Sequence, residues 1–330
     1  MKLKLKSYTP ALLGIALMAA SCSKDDSYKV PTAKNELQNE VIKRTISPNI
    51  VGGTIEFAYA MALPQTKGKL VSAQVEASIA GATGTWMENK SYYYDVTALQ
   101  DVGIQVASPS VTTNTTTVTT FTKDTNAVTL RFYYVVPEEA RGKTVSFTFS
   151  AKSSDGATVS AKMGPFNVSK MDMKLDLGVT DGDSTYISIA DMKVYRKSDA
   201  ISDPSKIDLI YMFRSGGVIG HCLVAPGAPK DYLQDFLPPN NVTNATKIIK
   251  VYGLRDQQLA RAQYGVFIDD VDFVQQSFTT APNAIFQLKT DGSGAWVETA
   301  DGKYRAYIYC NVVDDAKKRM TISIKRYTMK

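Results

Sequence analysis

Val128-Thr129-Leu130-Arg131-Phe132-Tyr133-Tyr134-Val135-Val136, closed by Pro137, alternates large apolar side chains with polar or amphipathic ones. A strand points successive side chains to opposite faces, so this period of two predicts a half-buried β-strand whose inner face is Val128, Leu130, Phe132, Tyr134 and Val136. Pro137 has no N–H for the ladder and ends it. Upstream, Ile55, Phe57, Tyr59 and Met61 repeat the pattern. Downstream, Val145, Phe147 and Phe149 alternate up to Ser154-Asp155-Gly156, whose Asp-Gly supplies the positive φ of a tight hairpin, and Val159, Ala161 and Met163 alternate on the return. Between Val111 and Thr120 threonines dominate, which suits an exposed ribbon or sheet edge. Short strands with turn signals and little helical period predict an immunoglobulin-like β-sandwich over residues 38–168.

Residues 169–330 read as a second β-rich domain with one or two short helices, so the chain as a whole is mainly β. Residues 207–213 and 218–224 are short apolar runs that fit buried strands, the first with Asp208 inside it. Residues 254–264 contain helix formers and stop at Gly265, which predicts a helix of two to three turns. Residues 304–312 and 321–327 alternate around Asp314-Asp315-Ala316-Lys317-Lys318 and predict a closing hairpin, with Cys310 on the face of Tyr304, Ala306, Ile308 and Val312.

The chain opens with Lys2, Lys4 and Lys6, ten apolar or small residues at 11–20, and small residues before Cys22. That is the layout of a secretory signal, expected over residues 1–21. Ten residues are too few to span a bilayer as a helix. Ala19-Ala20-Ser21-Cys22 resembles the lipobox of bacterial lipoproteins, which implies cleavage before Cys22 and acylation of its thiol and amine. Two or three acyl chains make such an anchor stable, at about 0.8 kcal/mol per buried methylene. Ser23, Lys24, Asp25 and Asp26 resemble the short acidic export signal of Bacteroidetes surface lipoproteins, which implies an outer-membrane protein facing the medium. Residues 22–37 are polar and aperiodic, as expected of a flexible tether.

The formal charge of +6 includes the three lysines of the signal and none of its acids, which leaves +3. The lysines are scattered, so there is no electrostatic footprint for nucleic acid. Cys222 and Cys310 alone remain after lipidation, too few for a thiolate zinc site or a disulfide framework, and the alternation around Cys310 favours two buried thiols. The one histidine, His221, precedes Cys222; on a strand the two point to opposite faces and cannot act as base and nucleophile together. No metal or cofactor is implied. Asp269, Asp270 and Asp272 form the densest acidic cluster and Asp181 and Asp183 flank a glycine; both groups suit turns, and neither has the spacing of a calcium loop. No catalytic constellation is therefore assigned. A hydrolase using Asp269 and Asp270 ranks last among the functions considered.

Recognition needs flat apolar faces beside hydrogen-bonding groups. Trp86, Tyr92, Tyr93 and Tyr94, near a glycine-rich connection, and Trp296 after Gly292-Ser293-Gly294 are the candidate ligand-binding residues. Asp183-Ser184-Thr185 resembles the O-glycosylation signal of Bacteroidetes exported proteins, which would place sugar on Ser184. Tyr186-Ile187-Ser188, Lys193-Val194-Tyr195, Asp203-Pro204-Ser205-Lys206-Ile207-Asp208 and Asp301-Gly302-Lys303-Tyr304 together resemble a module recurring in Bacteroidetes surface lipoproteins of unknown function. The expected function is a non-enzymatic surface lipoprotein, held to the membrane by its lipid and binding a polysaccharide or host glycan beside an outer-membrane uptake complex. The alternative is a fimbrial or adhesin subunit, since some Bacteroidetes pilins are lipoproteins of similar length trimmed after an arginine; Arg44 before Thr45 is the suggestive position.

Overall fold

A computed structural model describes residues 34–199, 201–215, 219–233, 236, 238, 242–289 and 292–330. Cys22, Ser23, Lys24, Asp25 and Asp26 lie outside the described residues, as does the whole expected signal. Residues 37–330 form one compact unit.

The first half contains eleven strands: β1 (Gln38–Lys43), β2 (Thr54–Ala62), β3 (Leu70–Ala77), β4 (Trp86–Met87), β5 (Lys90–Asp95), β6 (Gln100–Gln105), β7 (Val111–Thr113), β8 (Thr116–Thr120), β9 (Ala127–Val135), β10 (Thr144–Ser153) and β11 (Thr158–Asn167). They make a four-stranded sheet, β1-β2-β9-β4, a five-stranded sheet, β11-β10-β3-β8-β7, and a separate two-stranded ribbon, β5-β6. The alternating residues read from the sequence meet between the two large sheets. Ile55, Phe57, Tyr59 and Met61 from β2 join Val128, Leu130, Phe132 and Tyr134 from β9, and Val145, Phe147 and Phe149 from β10 complete one dry core. Phe57 and Phe147 meet edge to face at 4.9 Å, the geometry the ring quadrupole favours. Gly156 takes φ +88° in the β10–β11 turn, where a Cβ would be strained. The threonine-rich segment forms the β7–β8 edge hairpin.

The second half adds β12 (Asp172–Thr180), β13 (Ser184–Ser188), β14 (Lys193–Arg196), β15 (Leu209–Arg214), β16 (Gly220–Val224), β17 (Lys247–Val251), β18 (Ala284–Ile285), β19 (Gly294–Glu298), β20 (Tyr304–Asp314) and β21 (Arg319–Thr328). Their two sheets, β12-β21-β20-β19-β17 and β14-β13-β15-β16-β18, enclose a core that includes Leu209, Leu223, Val297 and Ile308. Short helices among the described residues also cover this sandwich on the outside. Leu233 of α1 (Lys230–Leu233) and Phe236 pack on the outer face of the β15–β16 sheet. Leu259 of α2 (Gln257–Ala260) and Phe273 of α3 (Asp270–Gln275) pack on the outer face of the other sheet, and Ile50 from the first sandwich joins that cluster. The fold is mainly β, with antiparallel sheets and few short helices.

Two details depart from the sequence reading. The helix expected over 254–264 shrinks to α2, because Asp256 caps its start and Arg261 turns left-handed at its end. The alternation of β20 breaks after Cys310, where a bulge shifts register and turns Val312 outward to 52 % exposure. The halves are stitched at the connection. Ser169 N–H donates to Asn49 O at 2.8 Å, Lys170 N–H donates to Asp270 at 3.2 Å, and Arg141 pairs with Asp172 at 2.8 Å.

Candidate functional site

The four-stranded sheet has one face in the core and, among the described residues, one that only the β5–β6 ribbon partly covers. β9 therefore sends Thr129, Arg131 and Tyr133 outward, opposite Ala60, Ala58 and Glu56 of β2. Small residues on β2 leave room above the sheet. β4 brings in an aromatic: its two-residue pairing sets Trp86 opposite Tyr133. That pairing depends on a tight connection, in which Thr85 Oγ1 accepts Val135 N–H at 3.0 Å and a Cβ on Gly81 would lie 2.2 Å from Thr85 Oγ1. The Trp86 and Tyr133 rings stack at 5.2 Å and 15°. Trp86 is 45 % exposed. Glu88 accepts Tyr133 Oη at 3.1 Å, and burial raises the Tyr133 phenol above its usual range.

The ribbon lies across the same sheet. Ser91 Oγ accepts Thr129 N–H at 3.1 Å, Arg131 pairs with Asp101 at 3.3 Å, and the Arg131 guanidinium sits 4.4 Å from the centre of the Tyr92 ring. Gly103 stands opposite Tyr92 and makes this possible, since a Cβ there would come within 3.0 Å of the ring. Ribbon and sheet bound a cleft of about 510 Å³ lined by Asn39, Ala60, Ala62, Ser91, Tyr92 and Tyr93. Tyr93 and Tyr94 are exposed, so none of the three consecutive tyrosines enters the core. The outer face thus runs from the Trp86–Tyr133 stack past Arg131 and Tyr92 to the cleft, with apolar rings and polar groups side by side.

Trp296 does not belong to any such face. It is 6 % exposed, meets Phe273 of α3 at 5.2 Å and Tyr307 at 4.9 Å, and is a core residue, which corrects its place among the ligand-binding candidates. Among the described residues, its sheet face is covered by helices where that of Trp86 is not. Ser184 is half-buried at the start of β13, where its Oγ donates to Asp183. Arg44 follows edge strand β1 and pairs with Glu56 at 2.7 Å.

The acids offered for catalysis are structural. Asp269 caps α3 in a capping box with Asp272, and Asp270 accepts Ser169 Oγ and Lys170 N–H. His221 and Cys222 point apart as their strand requires. His221 Nδ1 bonds Tyr211 Oη at 2.6 Å and Nε2 bonds Asp315 at 2.7 Å, while Cys222 Sγ donates to Met212 O. Both cysteines are free and buried, and burial pushes their thiols up to about 12. In the sequence Asp315 is legible only as a turn residue; nothing near it signals a contact with a histidine 94 positions away.

The fold and this open face define a two-module β-sandwich protein with an aromatic outer surface on its first module. The chain belongs to the DUF4466 family. Residues 34–168 match the model described as domain of unknown function DUF4466, and residues 169–329 match domain of unknown function DUF8576. A crystal structure of a DUF4466 family protein from Parabacteroides merdae is 47 % identical over 90 % of this chain and 100 % of that one, with a TM-score of 0.84. A single-substitution variant of BcpA, the major pilin subunit of Bacillus cereus, matches at 10 % identity over 59 % of each chain, TM-score 0.30. A C-terminal fragment of the major pilin GBS80 of Streptococcus agalactiae matches at 10 % identity over 87 % of this chain and 91 % of that one, TM-score 0.29. Both scores are too low to establish a shared fold. No curated protein matches the chain significantly. No helix among the described residues is long and apolar enough to cross a membrane.

Proposed function

We propose that this protein is a non-enzymatic lipoprotein of the outer-membrane surface that binds a glycan on the outer face of its first sandwich. The observation that carries this reading is the exposed Trp86–Tyr133 stack, continuous through Arg131 and Tyr92 with the cleft under the ribbon. A sugar presents C–H patches and hydroxyls together, and a stacked indole beside carboxylate, amide and guanidinium groups matches both. Asp101, Glu56 and Glu88 surround Arg131, so the face favours a neutral chain over a polyanion. The anchor rests on the lipobox at Cys22 and on the acidic residues that follow it, and the recurrence of similar modules in surface lipoproteins agrees with it.

A glycan-array screen of the full chain in detergent is expected to return at least one polysaccharide class. Trp86→Ala should weaken that binding about tenfold, equivalent to about 1.4 kcal/mol. Binding to no glycan, or undiminished binding by Trp86→Ala, rejects the reading. Palmitate labelling of cells is expected to mark the wild type and not Cys22→Ala.

A further inference from the structure

The β5–β6 ribbon ends in a turn that the glycan reading does not use. Asp95 Oδ1 accepts Thr97 N–H at 2.8 Å and Ala98 N–H at 3.1 Å, which fixes the turn and satisfies the carboxylate within it. Val96 and Leu99 stand at the tip, 76 % and 74 % exposed. Leu99 takes φ +52°, in the left-handed region where a Cβ is unfavourable and glycine or asparagine is the usual occupant. The fold therefore holds a large apolar side chain at a strained position outside any core. Contiguous exposed apolar groups of this kind mark contacts with a protein or a membrane.

Behind the tip the chemistry changes in steps. The cross-strand pairs Tyr93–Val102 and Ser91–Ile104 share one face of the ribbon, on which Tyr93 and Ile104 are exposed, and Tyr94 is exposed on the other. Asp101, opposite Tyr94, is held by Arg131 of the sheet, and Lys90 stands at the base. Aliphatic tip, tyrosines and then charge is the order of groups met on passing from acyl chains through headgroups to water. The chain also enters the sandwich beside the ribbon. Gln38 and Asn39, which open β1, line the same cleft as Tyr92 and Tyr93, and Val96 lies three residues beyond Tyr93, about 10 Å along the strand. Cys22 precedes Leu37 by about 15 residues, which span at most about 50 Å when fully extended. A lipid on Cys22 thus keeps the tip within reach of the bilayer, and a weakly apolar tip suffices once a tether makes the contact intramolecular.

We propose that the tip of the β5–β6 ribbon is a second membrane contact, with Val96 and Leu99 among the acyl chains and Tyr93 and Tyr94 at the level of the headgroups. Held at Cys22 and at this tip, the first sandwich is fixed in orientation and no longer swings on one tether. The contact depends on the lipid at Cys22 and not on whether the aromatic face binds glycan.

Fluorescence of the full lipidated chain in phosphatidylcholine vesicles tests it. In Trp86→Phe protein the remaining indole, Trp296, is buried, so Leu99→Trp adds one reporter at the tip. A lipid spin-labelled near the headgroup end of its acyl chain should quench that reporter at least about twofold. Glu139→Trp in the same background, a reporter beyond the end of β9 remote from Gln38, should stay unquenched. Val96→Asp should cut the quenching of the tip reporter at least about twofold, because a charge beside Leu99 resists entry among acyl chains. Both tip positions are exposed, so these substitutions leave the core intact. Palmitate labelling of the same preparation separates the contact from the anchor: labelled protein with an unquenched tip overturns the tip contact alone, and unlabelled protein overturns both. Equal quenching of the two reporters, or indifference to Val96→Asp, also overturns it. A tip that lipid does not quench and that cross-links to a second copy overturns it in favour of self-association.

Discussion

Trp86 and Trp296 occupy similar local sequence, Gly84-Thr85-Trp86 and Gly294-Ala295-Trp296, and each stands on the outer face of a sandwich sheet. One is 45 % exposed and the other 6 %. The difference lies in what covers each sheet. In the first sandwich no helix among the described residues packs on the β9 face; Arg131, Glu56 and Tyr133 are part-exposed there, and the ribbon bridges only part of it. In the second, α2, α3 and the connection around Ile50 close over Trp296. An aromatic on the outer face of a sheet stays exposed only where that face is left uncovered.

The two sandwiches also stabilise themselves differently. The first has a single core of aromatic rings and aliphatic side chains. The second buries charge: Lys325 and Asp256 are fully buried, 2.6 Å apart, with Leu259 N–H, Ile268 N–H and Ile268 O completing their hydrogen bonds. Burial lowers the Lys325 ammonium from its usual range, with Asp256 opposing. A satisfied pair of this kind adds little net stability, yet removing one partner strands the other.

Removing Lys325 should have the largest effect. Lys325→Met is expected to destabilise the second sandwich by about 3–5 kcal/mol, measured by urea unfolding. Trp296→Ala should cost a similar amount, about 3–5 kcal/mol, through loss of the indole and the cavity left against Phe273 and Tyr307. Trp86→Ala should change stability by less than about 1 kcal/mol. An equal loss from both tryptophans would contradict the contrast between covered and open sheets.

Asp208 gives a smaller effect that depends on pH. Burial raises its carboxyl to about 7 in the folded chain, against about 4 unfolded, so the unfolded chain releases its proton first as pH rises. The folded state then binds more protons, and stability falls between about pH 4 and pH 7 and levels off above. Asp208→Asn should remove this fall, a relative gain of about 2–4 kcal/mol at pH 8 over that at pH 4. Parallel curves for the two proteins would argue against a raised carboxyl. The smallest effect is optical: acrylamide should quench the fluorescence of wild type strongly and that of Trp86→Phe weakly, because Trp296 alone then emits from the core.

Much of the strand architecture is legible residue by residue. Val128 to Val136, Ile55 to Met61 and Val145 to Phe149 alternate because one face of each strand meets the core and the other does not. The charged turn at 315–318 marks the last hairpin for the same reason, since its residues have no core to enter. The short α2 is not legible, because its limits depend on Asp256 being drawn inward to Lys325, a partner 69 positions later. Nor is the bulge after Cys310, which answers to the pairing of β20 with β21 rather than to local composition. The aromatic site is visible as residue types; its geometry needs Gly103 to let Tyr92 lie flat against Arg131.

The order of residues is enough to establish that this chain is mainly β and which side of many strands is apolar, because alternation is a local property of an extended backbone. Which outer faces stay open is settled by packing. It leaves Trp86 at the surface and buries Trp296, and it draws Asp208 beside Asp191 and Asp301, because coverage and convergence depend on segments that meet only after the sheets have packed.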